Sequence, residues 1–600
     1  MQLSFAADLD VDKVSLPNDP RFAGQWHMQP GEGGVQVPEA WLLSRGTSDI
    51  TVAIIDTGID MLHRDLKANI VDGFDFIDRD DVPQPDTGDP YVSPHGTVCA
   101  GMVAAITGNG RGIAGPAPNA KLMPIRVAGT GGFTTDPDLA ESILWAADHG
   151  AKILSCSWGG PMPSNQIADA IDEVTAAGCL VFVAAGNDGP DGDVGYPARF
   201  ESAITVGATT RDRKLAEFSS RLPAKMVDIS APGADVTSCD MLGKEGYFDG
   251  GPDATPDENG EHPGDYISGA NGTSYACPMT AGVAALVWST YPSLTNVQVR
   301  EILQQSATKI DPDGGQWQDG YSDRYGYGQV NALAALRRAQ EVARDDGKQK
   351  PPPTNKPEDA VRNDGQPANA SEILEALLRL RKELDDTGRP KSTKDLPNPK
   401  TVILRRDQLA EVIEPQAQSY FVRGHEIVLK PSANWFVMSL DDGGQWKGPQ
   451  FWQVVRSDAT EEQLGKINIA AQGAGRIAVV APRDVLRERK QLDDFAGDGT
   501  LPAIYPAYEQ GGSLLVPLGT LTLRMKKDAG DDAKQAVLAQ AKNLGLQIVK
   551  EDGDITRFGH TETSEHANLF AAVASLAKLD GVQWCEPDFA SRPLALPKKP

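Results

Sequence analysis

The chain has 600 residues and a formal net charge of −26, with an isoelectric point near 4.7. That length exceeds what one hydrophobic core organises and predicts two to four domains. The acidity argues against nucleic acid and anionic membranes as partners, because both would repel the chain.

No segment has the length and apolarity of a membrane span. Met1 to Asp12 carries three aspartates and lacks the basic start and long apolar centre of a secretory signal, so a cytoplasmic location is expected. In that reducing compartment Cys99, Cys156, Cys179, Cys239, Cys277 and Cys585 are expected to be small core or near-site thiols rather than disulfides.

In chain order, Thr51 to Ile55 reads as a buried parallel strand that stops abruptly at Asp56-Thr57-Gly58. A carboxylate at the carboxyl end of such a strand lies where α/β sheets build their sites. His95 follows in Ser93-Pro94-His95-Gly96-Thr97-Val98-Cys99-Ala100-Gly101, whose small residues let a helix start close to the sheet. Strands are then predicted at 121–127, 152–155, 180–183, 203–207 and 226–230, and helices at 96–105, 138–147 and 166–177. This alternation is that of a doubly wound, mostly parallel sheet.

After the 180–183 strand, Ala184-Ala185-Gly186-Asn187 is either an ordinary strand-ending turn or a place from which the Asn187 amide donates to an oxyanion. The last piece is Asn271-Gly272-Thr273-Ser274, before an apolar run from Met279 to Trp288 that reads as a buried helix. Ser274 is then expected at a helix N-terminus, where unpaired N–H groups favour the charge that develops when a serine attacks an acyl carbon. Asp56, His95 and Ser274 are each common in isolation; in these three settings they suit acid, base and nucleophile. Cys277, three residues past Ser274, is the alternative nucleophile.

In these motifs the sequence resembles the subtilisin-like serine proteases from about Pro17 to Leu336. The resemblance implies a subtilisin-like fold, a triad of Asp56, His95 and Ser274, and Asn187 as oxyanion donor. It also implies that Ser157-Trp158-Gly159, with Ala185 and Gly186, lines a cleft in which a substrate adds as an extended strand. Trp158 has the alternative of a core aromatic. The Cys in His-Gly-Thr-x-Cys-Ala-Gly and the opening around Asn18 to Phe22 resemble the kexin and furin branch, though no acidic pair stands where that branch reads basic residues.

The same resemblance assigns structural calcium to Asp19, Asp65, Asn109 and the carbonyls of Ile106, Arg111 and Ile113. Oxygen-only ligands with two carboxylates suit that hard cation, and an ordinary acidic turn is the alternative. A second cluster, Asp75, Asp78, Asp80 and Asp81, is dense enough to bind calcium too, but Val82 replaces an expected acid and a plain acidic turn is the favoured reading.

Beyond Leu336 the composition changes. The stretch 346–400 reads as a proline-bearing linker, with a short amphipathic helix at 371–384. The segments 519–525, 531–544, 546–550, 555–558, 565–579 and 582–585 follow the order β-α-β-β-α-β of an α+β, ferredoxin-like domain. Its end, Val582 to Phe589, resembles the last strand of subtilisin propeptides, inhibitory domains that usually precede the protease. Parts of the pattern recur at 435–440, 476–481 and 504–508. The expected divisions are an arm at 1–20, a catalytic domain at 21–345, the linker, a first propeptide-like domain at 401–510 and a second at 511–600.

These residues predict a serine endopeptidase acting on polypeptides, with its own carboxyl-terminal region as an autoinhibitory partner in cis or trans, Trp584 to Phe589 occluding the cleft. An inactive peptide-binding scaffold that signals through its tail is the alternative.

Overall fold

The computed structural model describes residues 16–31, 33–88, 92–129, 132–224, 226–248, 250–251, 254–257, 260–345, 418–422, 425–441, 468–473, 476–482, 503–510, 513–560 and 569–593. After a short helix α1 (Val37–Ala40) come β1 (Thr51–Asp56), β2 (Phe74–Asp75), α2 (His95–Ala104) and β3 (Lys121–Arg126). A small pair, β4 (Ala128–Gly129) and β5 (Gly132–Phe133), leads into α3 (Asp136–Asp148), β6 (Ile153–Cys156), α4 (Asn165–Ala176) and β7 (Leu180–Ala184). Next come β8 (Ile204–Thr209), β9 (Ile229–Pro232) and the antiparallel pair β10 (Val236–Cys239) and β11 (Tyr266–Ala270). The helices α5 (Thr273–Thr290), α6 (Asn296–Ser306) and α7 (Ala332–Asp345) complete this half.

Seven strands form one sheet in the order β2-β3-β1-β6-β7-β8-β9, every pair parallel. The two-residue period of a strand explains why helices cover both faces. Val52 and Ile54 pack into one layer with Val98, Met279 and Val283. Ala53 and Ile55 pack into the other with Ile143 and Ile171. The chain leaves β1 toward β3 on one side and β6 on the other, so β1 is the switch point, and side chains at its carboxyl end stand at the crevice such sheets use.

One strand starts three residues later than expected. The strand predicted at 226–230 begins at Ile229, because the Asp228 carboxylate takes the Thr205 N–H at 2.9 Å and pairs with Arg300 at 2.9 Å. The helix expected to carry Ser274 at its N-terminus begins at Thr273, in agreement, and runs through Pro278.

The second half is a nine-stranded antiparallel sheet. β12 (Gln418–Val422), β13 (His425–Asp441), β14 (Asn468–Gly473), β15 (Arg476–Pro482) and β16 (Ala503–Gln510) lead to β17 (Ser513–Met525). Then come α8 (Asp531–Asn543), β18 (Leu546–Asp552), β19 (Ile555–His560), α9 (Leu569–Leu576) and β20 (Val582–Pro593). The path is β14-β15-β13-β16-β17-β19-β18, with β12 on β13 and β20 on β17. Leu521, Leu523 and Met525 face a core with Val537, Val573 and Leu576 of the two helices. Burying each such leucine contributes roughly 1.5–3 kcal/mol. Gly545 ends α8 with φ 71°, the left-handed conformation glycine adopts without cost. The linker, the helix expected at 371–384 and the start of the one expected at 565–579 lie outside the described residues.

The alternate side chains, Thr520, Thr522 and Arg524 on β17 with Trp584, Glu586 and Asp588 on β20, face the protease half, and they do so through polar contacts. Arg524 reaches Asp169 of α4 at 2.8 Å, and the Trp584 indole N–H donates to that carboxylate at 2.7 Å. Lys550 pairs with Glu141 of α3 at 3.1 Å. The Glu586 carboxylate accepts from the backbone N–H of Asn165 and Gln166, at 3.0 and 3.1 Å, and from the Ser164 hydroxyl at 3.0 Å. It thus satisfies the orphan donors of the first turn of α4.

Candidate active site

Asp56 is the last residue of β1 and His95 the first of α2, so the strand end and the helix start hold them together. Asp56 Oδ1 lies 2.8 Å from His95 Nδ1 and accepts the Thr57 N–H at 2.8 Å. A side chain on residue 96 would collide with the Gly58 carbonyl, which explains the glycine after His95. Burial works against the imidazolium, but the Asp56 carboxylate together with Cys99 outweighs it and raises the His95 pKa well above the usual histidine range. The His95 ring lies 5.9 Å from that of Tyr275, the neighbour of Ser274.

Ser274 occupies the first turn of α5, and its hydroxyl donates to the Ser157 carbonyl at 3.2 Å rather than to His95. Catalytic hydrogen bonds are often unformed until substrate arrives. Pro278 supplies the less obvious part of the geometry. It has no N–H, so the helix cannot close its usual bond onto the Ser274 carbonyl. That oxygen instead accepts from the Ser157 hydroxyl at 2.8 Å and the Cys99 thiol at 3.3 Å. Ser157 and Cys99 therefore fix the backbone of the nucleophile, a role the sequence reading missed; a proline four residues after a helical serine was the signal available.

Asn187 Oδ1 accepts from Thr273 N at 2.9 Å and Thr273 Oγ1 at 3.0 Å. Both bonds engage the oxygen, so the amide N–H groups are left toward the Ser274 turn. Gly186 takes φ 107° and donates its N–H to Thr273 Oγ1 at 3.1 Å, and Ala185 is held on β8 by its bond to Val206. Cys277 points away, 3.7 Å from Ser155 Oγ, and burial pushes its thiol up to about 12. It is therefore a core thiol and not a nucleophile. All six cysteines are buried and free.

Trp158 and Gly159 wall a pocket with Phe133, Ile167 and Phe200; Phe589 of the carboxyl-terminal half also lines it, and about 50 Å³ is free. The Trp158 indole N–H is buried without a hydrogen-bond partner among the described residues. The docking differs from the expected occlusion in one respect. β20 stays paired with β17 as far as Pro593, because its backbone groups are already satisfied there, so the segment covers the pocket without leaving its own sheet.

The calcium candidates also come together. Asp65 Oδ1 accepts from Asn109 Nδ2 at 2.6 Å and Oδ2 from Ile113 N at 2.9 Å, while Asp19 accepts from Gly108 N and Asn109 N at 2.7 and 3.1 Å. Ile106 is tied to the Asp65 carbonyl and Arg111 N to Asn109 Oδ1. Burial, with Asp19 nearby, pushes Asp65 up to about 7, and burial raises Asp19 as well. Two buried carboxylates with no cationic side chain bonded to either among the described residues fit a hard cation in chemistry. The second acidic cluster is different: Arg126 reaches Asp75 at 2.6 Å and Asp78 at 2.7 Å and also pairs with Asp86, so a guanidinium supplies the positive charge.

A family model described as the subtilase family matches residues 47–328. Thermitase of Thermoactinomyces vulgaris is 35% identical over 309 residues, 52% of this chain and 98% of thermitase. Subtilisin Savinase of Lederbergia lenta is 36% identical over 307 residues, 51% of this chain and 98% of that protein. A protein named calcium-dependent protease from Nostoc sp. (strain PCC 7120 / SAG 25.82 / UTEX 2576) is 35% identical over 358 residues, 53% of this chain and 51% of that protein. The parallel sheet, the site at its switch point and these relatives lead to one conclusion: the chain belongs to the subtilase family and is a subtilisin-like serine endopeptidase.

Proposed function

We propose that Asp56, His95 and Ser274 hydrolyse peptide bonds as a catalytic triad under the control of the carboxyl-terminal half. The observation that carries the chemistry is the 2.8 Å contact between Asp56 and His95, beside a serine on the first turn of a helix. Ser274 Oγ attacks the scissile carbonyl while His95 takes its proton and passes it to the leaving amine; water then repeats the sequence on the acyl-enzyme. Asp56 holds the imidazole in its tautomer and stabilises the imidazolium. The Asn187 amide and the N–H groups of the α5 turn receive the oxyanion.

The strand order β20-β17-β19-β18 with α8 and α9 supports a ferredoxin-like, propeptide-like unit, here after the protease. Phe589, which lines the same pocket as Trp158 and Gly159, supports inhibition by covering of the substrate pocket. Tethering makes such docking effective, since linked partners meet at local concentrations near millimolar. The likeness to a calcium-dependent protease and the buried pair Asp19 and Asp65 support structural calcium, with Asn109 and the carbonyls of Ile106, Arg111 and Ile113 completing an oxygen set. The cation would neutralise the two carboxylates and stabilise the fold.

A fluorophosphonate tests the chemistry. Mass spectrometry should find the adduct on Ser274 and none in His95→Ala; an adduct on another residue, or none at any pH, contradicts the assignment.

A further inference from the structure

Asp56 holds the His95 imidazole by its Nδ1 edge, and the Ser274 hydroxyl is bonded elsewhere. A ring tied at one edge can swing about that bond, so its direction depends on what else touches it. Two further side chains come close. Cys99, one turn along α2, has its sulfur 3.9 Å from Nδ1. Tyr275, the residue after Ser274, sets its ring 5.9 Å from the imidazole at an interplanar angle of 39°. Tyr275 is 3% exposed, packed in the apolar layer with Val98 and Met279. It rides on the same helical turn as the nucleophile, so its ring and the Ser274 hydroxyl share one rigid support. The Tyr275 hydroxyl is in turn hydrogen-bonded to Tyr247, from the connection between β10 and β11. A buried carboxylate fastens that connection. Asp240 accepts the N–H of Met241, Tyr247 and Phe248 at 2.9, 3.1 and 3.0 Å, and Asp60 accepts that of Leu242 at 2.9 Å. A side chain on residue 246 would run into the Asp240 carboxylate, a collision that Gly246 avoids. Burial keeps both phenols protonated.

We propose that Tyr275, clamped by Tyr247, is a positioning residue for His95: its ring limits the swing of the imidazole about the Asp56 bond and keeps Nε2 toward Ser274. The inference rests on the triad reading above. A misplacement of about 1 Å between reacting groups can cost on the order of 10²-fold in rate. A ring that only narrows the range of the imidazole therefore acts on kcat and leaves substrate binding alone. The line of support runs from Asp240 through Tyr247 and Tyr275 to His95, which gives the β10–β11 connection a part in the chemistry although it supplies none of the reacting groups.

The test is steady-state hydrolysis of a short chromogenic peptide by the full chain, with fluorophosphonate labelling and thermal melting followed in parallel. Tyr275→Leu, which removes the ring, should lower kcat and the labelling rate together by about 10–100-fold, with KM within about twofold of the parent. Tyr275→Phe keeps the ring and loses only the hydroxyl contact, so its kcat should fall by only about threefold, and Tyr247→Phe, which breaks the same contact from the other end, should match it. The double Phe variant should be no slower than either single one. A Tyr275→Leu protein with the parental kcat overturns the proposal, and so does one whose loss lies in KM, which would make Tyr275 a wall of the cleft. If the Leu protein does not melt cooperatively, the Phe variants decide: a parental kcat in both, or losses that multiply in the double variant, overturns the clamp and the proposal with it. Parental labelling of His95→Ala would instead contradict the triad reading itself, which keeps the two failures apart.

Discussion

The two halves of this protein place their functional groups by opposite means. In the protease, Asp56, His95 and Ser274 sit at the ends of a strand and two helices whose interiors are almost wholly apolar and buried, so backbone packing sets their positions. At the contact between the halves, much of the fit comes from charge and hydrogen bonding: Arg524 with Asp169, Glu586 on the α4 turn, Lys550 with Glu141. The first arrangement is rigid because moving a residue means repacking a core. The second can come apart, because water can replace each of its contacts once the surfaces separate.

Substitutions should divide along that line. The largest effect belongs to Ser274→Ala, expected to lower kcat by roughly 10⁴–10⁶-fold without altering the unfolding midpoint, as read by peptide hydrolysis and thermal melting. Asn187→Ala should lower kcat about 10²–10³-fold with KM little changed, since its amide acts on the oxyanion. Arg524→Ala removes the guanidinium from the buried Asp169 carboxylate, at a cost of about 3–5 kcal/mol of docking, and should raise the activity of the full chain. An unaltered rate there would mean that the contact does not govern access. Ser157→Ala should cost roughly tenfold or less in kcat through the loosened Ser274 carbonyl, with partial rescue by Ser157→Thr. The smallest effect is expected from chelation: excess EGTA should lower the melting temperature by several degrees if calcium occupies the Asp19 and Asp65 site.

The same division explains what could be read from the sequence. Asp56 after a run of β-branched residues, His95 among small residues and Ser274 before an apolar run each carry a local signal, because strand ends and helix starts are local events. Asn187 was legible for the same reason. The support under Ser274 was harder, since Pro278 frees a carbonyl whose new partners, Ser157 and Cys99, lie more than a hundred residues away in the chain. The pairing of Arg126 with Asp75, Asp78 and Asp86 was invisible for that reason too, and it decides against a cation there. On β17, the alternation of Leu521 and Leu523 with Thr522 and Arg524 reads as one buried and one solvent face. The polar face is covered instead, because α4 offers Asp169 to Arg524 there. No periodicity within the tail announces what another part of the chain will supply.

The most direct test of the account is the rate at which the full chain hydrolyses a short chromogenic peptide, with and without the paired substitutions Arg524→Glu and Glu586→Lys. These changes reverse both charges at the contact with α4 and touch none of the groups around Ser274. The account predicts a rise of at least tenfold when docking is broken. An equal rate in the two proteins would contradict it.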